Sequence, residues 1–199
     1  MALKRRTQNP PSYSKYSSYK KHLRIEFDHR CAYCNIHEAE DGGSKKFHID
    51  HYLPKSIFPG KCCEYSNLFY SCADCNILKG NYWASWIQKL FHKYILNPCD
   101  YDYDIHFDCT KSEWIPKTSV AKWNIEKLRL NSKKKIDIRK TRDFFLKIIE
   151  ELMEKKKRFE IALTDNKLCQ SDFKEIKNQI DELNRQINLY KFKILTPLE

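Results

Sequence analysis

Two Cys-x2-Cys pairs, Cys31/Cys34 and Cys72/Cys75, flank a stretch of about forty residues, and no other feature limits the fold of this chain as strongly. A Cys-x2-Cys turn presents two sulfurs with little strain, and two such turns complete the tetrahedral four-thiolate shell of a structural zinc ion. The spacing therefore predicts that Cys31, Cys34, Cys72 and Cys75 staple two separate segments together around Zn2+. The total of nine cysteines is odd, and metal-ligand spacing argues against a disulfide framework. Cys62, Cys63, Cys99, Cys109 and Cys169 read as free thiols, the alternative being that one of them substitutes in a metal shell. Four thiolates leave no open coordination position, so the expected role of the staple is structural and chemistry must lie in what it flanks.

Between the pairs, Lys46 to Tyr52 alternates as a strand, with Phe47 and Ile49 on one side and His48 and Asp50 on the other. Leu53 to Ser66 is rich in Pro, Gly, Ser and Lys and reads as a loop; Asn67-Leu68-Phe69-Tyr70 reads as a second strand. Asn76 to about Leu96 reads as a helix whose buried stripe is Trp83, Trp86, Ile87, Leu90 and Phe91. A strand ending in Asp50-His51 and a helix beginning at Asn76, pinned by zinc, would bring one oxygen ligand from each to a single point. Such a hard site suits magnesium or manganese. His51 beside it can be neutral near pH 7 and accept a proton from water, activating it toward a phosphodiester. Taken alone an Asp-His pair carries little weight.

Residues 1–13 are basic and broken by Pro10-Pro11, a flexible arm that is either a solvated tail or a phosphate contact. From Ser14 to Asp28, Tyr16, Tyr19, Leu23 and Phe27 mark one face of a helix, for core packing before base stacking. His29 to Asn35 forms a turn suited to a zinc knuckle. Residues 99–117 suggest a hairpin, and Asp100, Asp102, Asp104 and Asp108 there read as turn residues before a second metal site. Thr118 or Ser119 can cap a helix through Leu130. Heptads at Phe145, Ile149, Leu152 and Phe159, then at Ile176, Ile180, Leu183, Ile187 and Tyr190, predict a helical hairpin with arms of ~20 residues. Thr164-Asp165-Asn166 breaks the pattern, and Ser171-Asp172 can cap the second arm. The chain thus divides into an arm (1–13), a core domain (14–130) and a hairpin (131–199) that packs on the core or binds a partner.

A formal charge of +11 favours a polyanionic partner, because lysines and arginines on a nucleic acid displace condensed counterions. The basic start has no apolar core behind it, and no run approaches the ~18 apolar residues of a membrane span. The expectation is a soluble, cytoplasmic protein without a membrane partner.

Taken together, Cys31-x2-Cys34, Asp50-His51-x2-Pro54, Asn67-Leu68 and Cys72-x2-Cys75-Asn76-x2-Lys79 resemble the HNH nucleases, the ββα-metal group, in the subset with a double Cys-x2-Cys zinc site. The match covers roughly residues 30 to 82. It implies an α+β fold: a stapled ββα-metal core with additional helices and the C-terminal helical hairpin. It also implies a DNA endonuclease, with DNA before RNA as substrate. By that resemblance Asp50 and Asn76 ligate the catalytic metal, His51 is the general base, Asn67 braces the loop carrying the base, and Lys79 faces the substrate phosphates. Asn76 stands where many members carry the last His of the name-giving pattern, which favours magnesium over a nitrogen-loving metal; the HNH domain of RNA-guided CRISPR nucleases has the same His, Asn, Asn form. Outside this core, NPCDYDYDIHF, VAKWNIEKLRLN and the charged tail look like the stand-alone HNH proteins of bacterial anti-phage systems of the Septu and retron kind. There an ATPase is encoded beside the nuclease, which implies an ATPase partner, or a homo-oligomer, at the C-terminal helices. The other class of reading is a zinc-dependent nucleic-acid adaptor without catalysis.

Overall fold

A computed structural model describes residues 6–7, 9–99, 103–164 and 169–195. Asp100, Asp102, Asp165, Asn166 and, from the basic arm, residues 1–5 and 8 lie outside that set. The chain divides into two compact units, Met1–Ile138 and Arg139–Glu199.

The first unit is built on a two-stranded antiparallel hairpin. Strand β1 (Phe47–His51) pairs with β2 (Leu68–Cys72) in the register Phe47↔Cys72 to His51↔Leu68. β1 mixes buried and exposed positions, whereas every residue of β2 is buried. The reason is that β2 is covered on both faces. Its aromatic residues meet Phe27, which follows helix α1 (Lys20–Glu26), with the Phe27 and Phe69 rings 5.8 Å apart, while Phe47 stacks on Tyr70 at 5.0 Å. Tyr19, Leu23 and Phe27, three of the four positions read as a helix face, are 3%, 0% and 0% exposed. Each contributes about 1.5–3 kcal/mol by leaving water. A short 3-10 turn, Tyr16–Tyr19, leads into α1. Arg6 is docked rather than solvated: its guanidinium lies 4.8 Å from the Tyr65 ring centre and 5.1 Å from that of Phe69, and it pairs with Glu26 at 3.1 Å.

Helix α2 (Ala73–Lys79) follows β2 without a loop and completes a ββα unit. The long helix expected from Asn76 to Leu96 is instead two helices. α2 stops at Gly80, whose φ of +52 is costly for any side chain. Ser85 then opens α3 (Trp86–Leu90) with a capping box to Gln88. Once the helix is cut there, the supposed stripe loses its common face. Trp86, Ile87, Leu90 and Phe91 are 72%, 50%, 67% and 70% exposed.

A helical turn, α4 (Tyr103–His106), runs into a small antiparallel pair, β3 (Phe107–Asp108) with β4 (Ile115–Pro116), where a hairpin was anticipated. Asp108 accepts from the Thr110 backbone and hydroxyl, as a turn residue does. Thr118 caps α5 (Ser119–Lys127), which ends short of Leu130. Helix α6 (Lys133–Ala162) begins in the first unit and continues into the second, where α7 (Gln170–Leu195) is its antiparallel-sequence counterpart. At 30 and 26 residues both exceed the anticipated length, and Ser171 lies inside α7 rather than before it. Within the second unit Ile149, Leu183 and Ile187 are buried, and the Phe145 and Tyr190 rings lie 5.9 Å apart. Among the described residues no helix is long and apolar enough to cross a membrane.

Candidate active site

The two Cys-x2-Cys pairs converge. Cys31 and Cys34 come from the turn after α1, Cys72 from the end of β2 and Cys75 from the first turn of α2. Their sulfurs all lie within 4.8 Å of one another, and all four residues are buried. The Cys34 and Cys72 sulfurs are 3.7 Å apart. A tetrahedron with Zn–S bonds of ~2.3 Å has an edge of about 3.8 Å, so the spacing and the soft donor set both fit zinc. A residue that sequence inspection missed sits behind this cluster. Lys135, from the first turn of α6, is 1% exposed and donates to the Cys75 sulfur at 3.4 Å and to the Leu128 carbonyl at 2.8 Å. Its buried ammonium offsets the negative charge that four thiolates would gather. Among the described residues this is the one group of His, Cys, Asp or Glu side chains close enough to hold a metal. Asp104 and Asp108 belong to no such group among the described residues; Asp100 and Asp102 lie outside them.

At the far end of the same hairpin, His51 is the last residue of β1. Its Nε2 lies 3.0 Å from the Cys62 carbonyl. A carbonyl only accepts, so Nε2 carries the proton and the lone pair is left on Nδ1. The loop supplying that carbonyl is laced by Asn67, which is 5% exposed. Its Nδ2 donates to the carbonyls of Leu53 and Lys61, at 3.1 and 3.0 Å, and its Oδ1 accepts from the Leu53 amide at 2.7 Å. Every polar atom of that carboxamide is thus spent on holding residues 53–61 against β2. The Tyr16 ring meets the imidazole edge to face at 4.8 Å. Burial lowers the pKa of His51 below its usual 6.5, against the opposing effects of the Cys62 carbonyl and the Asp50 charge. The ring is neutral at pH 7.

Asp50 precedes it and points inward. Its carboxylate accepts from the Tyr33 hydroxyl at 2.5 Å and from Lys79 Nζ at 3.1 Å, and Lys79 also donates to the His51 carbonyl at 2.6 Å. Burial pushes the Asp50 carboxyl up and the Lys79 ammonium down, each opposed by the other's charge. The expectation that Lys79 faces substrate phosphates is corrected here, since the residue is 2% exposed. The physical cause is helix periodicity: Lys79 is one turn beyond the buried Cys75 and shares its inward face. That signal was present in the sequence. Nothing in the sequence singled out Tyr33 as the partner of Asp50.

Asp50, His51 and Asn76 line one cavity of about 460 Å³. Its cationic walls are Lys20 and Lys55, not Lys79, and His48 opens onto it from β1. Lys55 Nζ lies 5.2 Å from the Tyr16 ring centre. Asp50 and Asn76, a carboxylate and a carboxamide residue, are thus both among the residues of one cavity, and these are donor types that suit a hard divalent ion. Tyr33 and Lys79 occupy only part of the roughly four lone-pair sites of the Asp50 carboxylate.

Residues 31–82 match the HNH endonuclease family model, and that HNH-like stretch holds the four cysteines together with Asp50, His51 and Asn76. The Septu protein PtuB of Bacillus thuringiensis is 34% identical over 55 residues, which is 28% of this chain and 21% of that protein. The chain thus matches about a fifth of that relative's length. No solved structure matches.

Proposed function

We propose that the chain is a metal-dependent endonuclease that hydrolyses phosphodiester bonds, in DNA before RNA, with His51 as the general base. One observation carries the reading: a neutral imidazole is tied through Nε2 to a braced backbone carbonyl and shares a cavity with two hard oxygen donors. In the step we propose, His51 Nδ1 takes a proton from a water whose oxygen attacks phosphorus. The bond from phosphorus to the 3′ oxygen breaks, leaving a 5′ phosphate and a 3′ hydroxyl, the leaving oxygen taking its proton from solvent. Magnesium or manganese held by Asp50 and Asn76 would stabilise charge on the phosphate and on the departing oxygen. Lys20 and Lys55 attract the phosphates. Asn67 and Lys79 act through others, Asn67 by fixing the loop that orients His51 and Lys79 by fixing Asp50 and the end of β1. Zinc at Cys31, Cys34, Cys72 and Cys75 is structural.

The test is plasmid cleavage with and without magnesium, with EDTA as control. The His51→Ala variant should lose cleavage while keeping its zinc content and circular dichroism spectrum. Cleavage by that variant at the wild-type rate would remove His51 from the role. An adaptor without catalysis would bind plasmid and cut nothing under any of these conditions.

The likeness to a Septu protein favours a place in anti-phage defence. There the helical second unit would be the site for an ATPase partner or a second copy. An inactive isolated chain should then gain cleavage when the product of a neighbouring ATPase gene is added.

A further inference from the structure

A second cavity, of about 580 Å³, adjoins the first through the chain at two points. Tyr52, on its wall, follows His51; Tyr82 and Trp83, also on its wall, follow Gly80 and Asn81, which line the first cavity. The lining is mostly aromatic, with Tyr94 as a fourth ring and Lys89 and His92 exposed at the rim. The rings are fixed in place. Trp83 stands edge-on to Tyr52 at 5.9 Å and to Phe58 at 5.5 Å. The Tyr52 hydroxyl donates to the Ile95 carbonyl at 2.8 Å, and the Tyr82 hydroxyl donates to the Lys93 carbonyl. With those hydroxyls committed to the backbone, Tyr52 and Tyr82 offer the cavity chiefly ring surface. Lys89 Nζ sits 5.0 Å from the Trp83 ring centre, where a cation is held weakly by the ring at an exposed site and can swing to a phosphate.

We propose that this cavity receives one unpaired nucleobase of the strand whose backbone lies at His51. The inference rests on the nuclease reading and adds a strand preference to it. An aromatic-lined cavity with a basic rim matches a planar base joined to a phosphate, whereas an aliphatic peptide segment would leave Lys89 and His92 without a counterpart. Stacking on such rings is indifferent to sequence, since every base has a π-face. A base paired within a duplex is stacked on both sides and cannot enter, so the site favours single strands, bulges or ends.

The experiment uses the full-length, zinc-loaded chain carrying His51→Ala, so that nothing is cut. Its affinity is measured for a single-stranded oligothymidylate and for an abasic oligomer of the same length and charge. The oligothymidylate should bind about ten-fold tighter, since stacking contributes ~1–3 kcal/mol per base and each 1.4 kcal/mol is ten-fold. Adding Trp83→Leu should bring the ratio close to one. Because Trp83 also packs on Tyr52 and Phe58, a second measurement needs no substitution there: 2-aminopurine in the oligomer should lose emission on binding. Equal binding of both oligomers, a ratio unchanged in folded Trp83→Leu, or unquenched 2-aminopurine would each overturn the proposal. If wild type nonetheless cuts plasmid, the nuclease reading stands and only the base site falls. If neither oligomer binds and plasmid stays intact even with the partner ATPase added, both readings fall.

Discussion

The two ends of one hairpin are opposites. Where Phe47 pairs with Cys72, four sulfurs crowd within 4.8 Å in a fully buried cluster; where His51 pairs with Leu68, His51, Asp50 and Asn76 are among the residues that line an open cavity. Four residues of strand, about 13 Å at ~3.3 Å per residue, separate them. The cluster end has a donor set that can close around an ion and leave nothing for a reactant. The cavity end is held by hydrogen bonds, a buried ion pair and one ring contact: the Cys62 carbonyl on His51, Asn67 on the loop, Lys79 and Tyr33 on Asp50, and the Tyr16 ring on the imidazole. If the proposed function holds, the hairpin separates two requirements on catalytic groups, which must be rigid yet unsaturated, with the closed cluster at one end and the open cavity at the other.

The sharpest way to break the comparison is to damage each end separately. Cys72→Ser should cost most, because structural zinc contributes ~10–16 kcal/mol of binding free energy that is also folding free energy. We expect loss of zinc, loss of the near-ultraviolet circular dichroism signal and loss of any cleavage together. At the other end, His51→Ala should lower the cleavage rate by about 10²–10⁴, the usual contribution of a general base, with zinc content unchanged. If the cysteine variant stayed folded, or the histidine variant lost its zinc, the division of labour between the ends would be wrong.

Lys79→Met sits between these in effect and joins the two ends. Lys79 shares a helix face with Cys75 and bonds Asp50 and the His51 carbonyl. Removing it leaves a buried carboxylate without its cation, which costs about 3–5 kcal/mol. Urea unfolding should show that loss with zinc still bound. A variant as stable as wild type would mean that Asp50 is solvated or protonated, and that the pair braces nothing.

The cluster was legible in the sequence because metal coordination imposes a spacing that no other constraint mimics. The hairpin was legible because β1 alternates. Two misjudgements share one origin, helical geometry applied without its limits. The apolar spacing of residues 76–96 suggests one helix, but Gly80 and the Ser85-Gln88 capping box punctuate it, and Trp86, Leu90 and Phe91 do not reach the core that spacing implies. Lys79 was placed at a phosphate although it lies four residues after Cys75. Tyr33 and Lys135 were invisible for a different reason. Each is brought to its partner by tertiary packing, Tyr33 across 17 residues to Asp50 and Lys135 across 60 to Cys75, and no local pattern records such a contact.

The smallest predicted effect concerns the open end alone. Burial lowers the pKa of His51 from 6.5, opposed by its bond to Cys62 and the charge of Asp50, with Lys55 adding to the lowering. A general base works when neutral, so cleavage should be level above this pKa and fall below it, giving an acid limb with its midpoint under pH 6.5. Stability carries the same sign: the folded state prefers the neutral ring, so the contribution is intact above pH 6.5 and declines as pH drops toward the folded-state value. Lys55→Ala removes one positive neighbour and should move the midpoint of the acid limb upward. Lys55 is exposed, so solvent and salt screen it and the move should be a few tenths of a pH unit, shrinking further as ionic strength rises. A salt-independent shift, or a midpoint above 6.5 in the wild type, would place the titrating group somewhere other than this half-open end of the hairpin.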